Sequence, residues 1–394
     1  MDPGLDRCRH DAVGQLLSPA PTPPSTTAAT LAKRINAERR VGIETAVAAV
    51  TARMLGLVAT ARRQALLARP TLDIDATEVE VYGRAKDGVA YNYLGQRAGR
   101  PHLATWAEPG VVLAADLTGG RDDPRAGAVD LLRRAVAGLP PGAGRPRVRA
   151  DTGYFAVGIA EAALAAGCDF SIGVTRNPAA WRAVAALPAA AWSPAVGMRA
   201  ADVAVCDYGP GGWPPGTRCI VRRVRHDAAS IGADPRARRR RTIPPDQLAL
   251  ALDGHVDEVY AYSFIVTNLP VDTAAAVQAL ERWHRGRTDI EDRIRDAKHG
   301  AALRHLPSGH PDVNAAWMWG ALLAVNLSAG LHELAALDDG QGRGRSHLTR
   351  LRRELINVPG RLVRHGRRLT LRLPTQDHLL ASALARLRDL PAPT

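Results

Sequence analysis

The chain has 394 residues, 46% hydrophobic and 23% charged, ordinary globular proportions that exclude wholesale disorder. Fifty-two Lys and Arg against 39 Asp and Glu leave +13 at pH 7, which favours polyanionic partners, nucleic acid before acidic membranes. Cys8, Cys168, Cys206 and Cys219 are scattered, with no CxxC and no His at metal-ligand spacing, so neither a zinc site nor a disulfide framework is expected and a reducing cytoplasm fits.

The N-terminus carries Asp2, Asp6 and Asp11 and no apolar run, so it does not read as a signal peptide. After the Pro-rich segment 18–27, residues 28–69 place Leu31, Ile35, Val47, Val50, Met54, Leu57, Val58 and Leu66 at helical steps, and Pro70 ends the pattern. The character then changes to strands. TLDIDATEVEVYG alternates apolar and polar residues, and 89–94, 102–107 and 111–117 continue as a meander. A helix over 125–137 closed by Gly138, a strand over 145–151, a helix over 156–166 before Gly167 and a strand over 168–175 complete a βαβαβ run.

Residues 176–257 break this regularity with many prolines; short strands fit 202–208 and 218–224. A strand over 258–270, helices over 272–285 and 288–303, and a buried helix over 312–337 follow. The most apolar stretch within the last, Ala315 to Leu331, is too short to span a membrane comfortably and contains Asn326, so it reads as a buried helix. The expected organisation is an N-terminal helical region (1–70), a core (71–175 and 258–338), a β-rich insertion (176–257) and a basic C-terminal region (339–394). Trp181, Trp192 and Trp213 are expected to anchor the insertion's core, with base stacking the sharper alternative.

Asp75, Asp151 and Glu291 are the candidate chemistry. Asp151 sits where a strand stops and a Gly-containing turn begins, the strand end at which open α/β sheets bind ligands. Three converging carboxylates repel unless cations share the site, and Mg²⁺ takes oxygen ligands of this kind. Two such ions about 3.5–4 Å apart suit phosphodiester chemistry. His284, Arg287, Glu291 and Lys298 would fall within about 60° of one another on an ideal helix, with Ile290, Ile294, Ala297 and Ala301 on the adjoining sector. One stripe would then present a carboxylate between cations able to meet DNA phosphates. Arg238, Arg239, Arg240 and Arg241 form a basic run suited to the same partner. No P-loop or dinucleotide fingerprint is present, so no nucleotide cofactor is expected.

The segment HRGRTDIEDRIRDAK resembles the Tyr-x2-Arg-x3-Glu-x6-Lys signature of DDE transposases of bacterial insertion sequences, with His284 at the Tyr position. LDIDATEVEVYG resembles that family's first-acid strand, which points to Asp75 rather than Asp73, and RADTGYF its second-acid motif, which points to Asp151. The resemblance spans about residues 70–330. It implies an α/β fold with an RNase H-like mixed sheet flanked by helices and a β-rich insertion before the third acid. It further implies Mg²⁺ (with Mn²⁺ substituting) on Asp75, Asp151 and Glu291, cutting of double-stranded DNA at terminal inverted repeats, joining of 3′-OH ends to target DNA, and a homodimer on DNA. The alternatives are a catalytically inactive DNA-binding remnant that inhibits transposition, or an RNase H-like nuclease acting without inverted repeats.

Overall fold

The computed structural model describes residues 3–18, 20–233, 240–335, 337, 347–373 and 379–390. Five helices open the chain: α1 (Pro3–His10), α2 (Ala12–Leu17), α3 (Ser25–Ala32), α4 (Ala37–Gly56) and α5 (Thr60–Ala68). The α4 helix starts at Asn36, whose side chain accepts from the Arg39 N–H, a polar N-cap that satisfies one orphan donor. Its apolar side is not free: Val47, Leu55 and then Val58 and Leu66 are buried in the same clusters as the sheet residues.

The strands are β1 (Thr71–Ala76), β2 (Val79–Glu80), β3 (Ala90–Tyr91), β4 (Arg97–Trp106) and β5 (Val111–Gly119). Helix α6 (Pro124–Ala137), β6 (Arg147–Ala150), α7 (Val157–Ala165) and β7 (Asp169–Gly173) follow. Next come α8 (Pro178–Ala185), β8 (Ser193–Pro194), β9 (Ala201–Cys206), β10 (Arg218–Asp227), α9 (Ala228–Ala233), α10 (Pro245–Leu252) and β11 (Glu258–Thr267). The chain continues through α11 (Ala274–Arg285), α12 (Asp289–Arg295), α13 (Pro311–Ala335), α14 (Leu348–Leu351), the hairpin β12 (Arg361–His365) and β13 (Arg368–Arg372), and α15 (Leu379–Arg388).

Among the described residues, eleven strands form one mixed sheet. Its central order is β5–β4–β1–β6–β7, extended through β11, β10, β9 and β8, with β2 and β3 also paired to β4. The first hairpins are antiparallel, whereas β1, β6 and β7 are parallel, with α6 leading from β5 to β6 and α7 crossing from β6 to β7. Residue alternation sends Leu72, Ile74, Val148, Ala150, Phe170 and Ile172 to one face, under Leu131, Leu132 and Ile159 of α6 and α7. On the other face Leu103, Val112 and Ala115 pack with Ile290, Ile294, Met318, Trp319 and Leu322. The sheet is therefore a middle layer covered by helices on both sides.

Helix α13 is the long apolar segment, and Asn326 explains how a polar residue lives inside it. Its amide donates to the Val112 carbonyl and the Thr51 hydroxyl, and its oxygen accepts from the Val112 N–H. One buried side chain thus ties α13 to α4 and β5. Among the described residues no helix is long and apolar enough to cross a membrane.

The strands of the Pro-rich stretch, β9 and β10, add to the edge of the same sheet through β11. Trp213 stacks on Phe155, Trp181 meets Tyr262 and Phe264 edge-on, and Trp192 lies under the Arg223 guanidinium, so all three indoles pack internally. The expected helix over 288–303 is shorter and less regular. Regular α-geometry covers Asp289–Arg295, then widens into a π turn at Asp296–Gly300. Burial of Asp296, which accepts from the His347 ring and the Leu348 N–H, accompanies that widening.

Candidate active site

Two of the three candidate carboxylates sit side by side at strand ends. In the parallel register Ile74 faces Ala150, so Asp75 and Asp151 occupy the next positions at the carboxyl ends of β1 and β6. Asp75 accepts the N–H of Ala76, while Asp151 caps the three-ten turn Thr152–Tyr154 by accepting from the Gly153 N–H at 2.8 Å. A Cβ at Gly153 would lie 2.9 Å from the Asp151 carboxylate, and one at Gly173 of β7 would lie 2.9 Å from the Thr152 nitrogen. Glycine at both positions lets the second-acid turn close tightly against the sheet.

Asp73, the acid that motif comparison passes over, is buried and locked. It forms a two-pronged ion pair with Arg149 at 2.6 and 2.7 Å across the β1–β6 register. Arg149 also donates to the Trp283 carbonyl and lies over the indole of Trp283. Such a pair is a structural brace with no carboxylate oxygen to spare. Sequence reasoning missed Arg149; the alternation Arg147–Val148–Arg149–Ala150 sets it on the face opposite Val148 and Ala150, but its pairing with Asp73 comes only from the β1–β6 register.

Glu291 is exposed on α12. Asp75 registers it electrostatically: burial first and the Asp151 carboxylate second raise the Asp75 pKa to about 6, with Glu291 adding to the repulsion. Arg287 opposes this from 3.8 Å, and the Ala76 N–H also favours the charged form. Among the described residues, no group of three or more His, Cys, Asp or Glu side chains is arranged closely enough to hold a metal ion. The donor set nevertheless suits a hard divalent cation. It is made of carboxylates, and their mutual repulsion exceeds what Arg287 neutralises.

The remaining members of the expected stripe go to different places, because the chain between α11 and α12 tightens into a three-ten turn at Gly286–Thr288. His284 bonds Ser171 of β7 through Nδ1 at 2.7 Å, and burial, with Arg287 and Arg149 nearby, pushes its pKa down to about 3. The ring is neutral. Lys298 donates to the Thr77 hydroxyl and the Glu78 carbonyl, fastening the segment after Glu291 to the turn after Asp75. Burial lowers its pKa. Arg240 donates to the Ile231 and Gly232 carbonyls, Arg241 is exposed, and Arg238 and Arg239 lie outside the described residues.

Beneath the second-acid turn, Tyr154 and His102 stack at 5.5 Å. Both are almost fully buried, and neither the phenol oxygen nor Nε2 has a partner. Burial lowers the His102 pKa to about 4, and burial with the Asp75 and Asp151 charges raises that of Tyr154.

A family model described as transposase DDE domain group 1 matches residues 8–236 and 250–392. The chain belongs to the DDE transposases. No curated protein matches the transposase. Among solved structures it is similar to the piggyBac transposase synaptic complex with hairpin DNA, determined by cryo-EM. That match has a TM-score of 0.40 and 9% identity, and covers 72% of this chain and 51% of the other. The transposase thus spans about half the length of that relative.

Proposed function

We propose that this transposase is an insertion-sequence enzyme that cuts double-stranded DNA at terminal inverted repeats and joins the 3′-OH ends to target DNA. Asp75, Asp151 and Glu291 would hold Mg²⁺, with Mn²⁺ able to substitute. The observation that carries the reading is the pair of aspartates at adjoining ends of two parallel strands, with the Asp75 pKa raised first by burial and then by the Asp151 charge. When bound, the divalent ions supply a more acidic water and charge neutralisation on the leaving oxygen.

The chain's own residues perform the positioning. The Asp73–Arg149 brace fixes β1 against β6, so the two aspartates keep one spacing. Lys298 fixes the turn after Asp75 relative to the helix bearing Glu291. Arg287 screens Asp75 and is the cation best placed beside the scissile strand; His284 can act there only as a neutral hydrogen-bonding ring. The strand order β5–β4–β1–β6–β7 supports an RNase H-like core formed by residues 71–175 and 258–338. The position of β9 and β10 between β7 and β11 in the chain supports a β-rich insertion at 176–257. Residues 1–70 and 339–394, the run around Arg241, a dimer on DNA and a cytoplasmic setting complete the proposal.

The test is cleavage and joining of DNA that carries the flanking sequence of the gene, with Mg²⁺ or Mn²⁺. D75N, D151N and E291Q should each lose cutting at least 100-fold while retaining DNA binding. Cutting that survives in any one of them removes that residue from the site. The second reading, a binding remnant, is favoured by the open spacing of the acids. It requires that the wild-type protein bind ends without cutting under every divalent ion tried.

A further inference from the structure

Cys206 and Cys219, thirteen positions apart in the sequence, are direct cross-strand partners on β9 and β10. Direct antiparallel partners stand about 4.5–5.5 Å apart at Cα, inside the range a disulfide spans. Both side chains lie on the same face, in the cluster that contains Phe170, Tyr262 and Phe264. Both are free, buried thiols, and the Cys219 thiol also donates to the Ile220 carbonyl at 3.6 Å; their interaction holds Cys206 below its ordinary pKa, and the same interaction with burial raises that of Cys219. The pair therefore has one thiol that ionises more readily and one kept protonated beside it. Access comes from the edge. The short β8 covers only Asp202 and Val203 of β9, so among the described residues no strand flanks the Cys206 end on its outer side, and that end can open without breaking another ladder.

We propose that Cys206 and Cys219 are a reversible oxidation site that closes as a disulfide across the β9–β10 hairpin. With a peroxide as oxidant, the Cys206 thiolate attacks one oxygen; the O–O bond breaks, a sulfenic acid forms and water leaves. The Cys219 sulfur then attacks the Cys206 sulfur, its proton leaving with the hydroxyl as a second water. Each sulfur is oxidised by one electron and the peroxide is reduced by two. The bond closes the base of the loop 207–217, which carries Trp213. That indole stacks on Phe155 at 5.0 Å, four residues after Asp151. Oxidation would thus pin the loop that backs the second-acid turn.

The experiment uses the full chain as a C8S variant, which removes the exposed thiol, treated with hydrogen peroxide, alkylated and digested without reduction. The expected product is a peptide linking residues 206 and 219, lighter by two hydrogens and released by dithiothreitol, with a thermal unfolding midpoint that rises by several degrees and falls back on reduction. C206A and C219A, small apolar replacements, should each abolish both effects, and linkage read directly by mass in C8S does not depend on either variant folding. Recovery of Cys206 and Cys219 as alkylated thiols, a bridge to Cys168, or a sulfinic acid at Cys206 beside a free Cys219 overturns the proposal. A linked peptide with no change in unfolding midpoint overturns the pinning of the loop.

Discussion

Asp73 and Asp75 are two residues apart on the same face of one strand, and their surroundings give them opposite work. Asp73 is enclosed and fully engaged by Arg149; Asp75 stands at the strand end with its charge only partly offset. Replacing Arg149 by Met leaves Asp73 buried without a partner, which should destabilise the fold by about 3–5 kcal/mol, measured by urea unfolding at pH 7. D75N should act in the other direction, and with pH. The Asp75 pKa is raised from 3.8 to about 6 in the folded state, so the fold holds that proton more tightly than the unfolded chain does. The stability this contributes is full below pH 4 and is lost as pH rises through 6. Without divalent ions, D75N should therefore gain on wild type between pH 4 and 6, levelling off near ~3 kcal/mol. A difference that stays flat across that window would show that the fold does not raise the Asp75 pKa.

Elements are where the sequence was most legible and where its limits are clearest. Alternation in TLDIDA and the left-handed Gly167 after α7 mark β1 and α7 because local burial and backbone freedom decide them. Strand order and register are not local, so the opposition of Asp73 to Arg149 and of Cys206 to Cys219 could not be read. The motif order around Asp75, Asp151 and Glu291 was readable, but a single helical stripe for His284 to Lys298 was not the outcome. The three-ten turn before α12 and the π turn after it each change the angle per residue, and Ser171, Asp75 and Thr77 draw the side chains to three separate points. Helix α13 offers a direct test of element packing. N326L should orphan both Val112 backbone groups and lower stability by ~2–4 kcal/mol, seen as a lower urea midpoint with an unchanged slope.

For the whole molecule, the charge of +13 bears on the proposed binding of DNA. Binding measured by fluorescence anisotropy on a random duplex should weaken as salt rises, with log K falling linearly in log salt by about 0.9 per phosphate neutralised. R241A should make that slope shallower by about one contact, because Arg241 is exposed, whereas the Arg240 side chain is already spent on two carbonyls. An unchanged slope in R241A would remove that residue from the proposed DNA surface.

The acid on α12 enters the chain long after the strands that carry the two aspartates, with β9, β10 and β11 made in between. During synthesis the ribosome therefore releases both aspartates well before their proposed third companion. On the proposed assignment, a nascent or prematurely stopped polypeptide ending before α12 has no means to sever a strand. Competence to sever DNA would then be withheld until the third acid has been made, a consequence of the order of the acids along the chain.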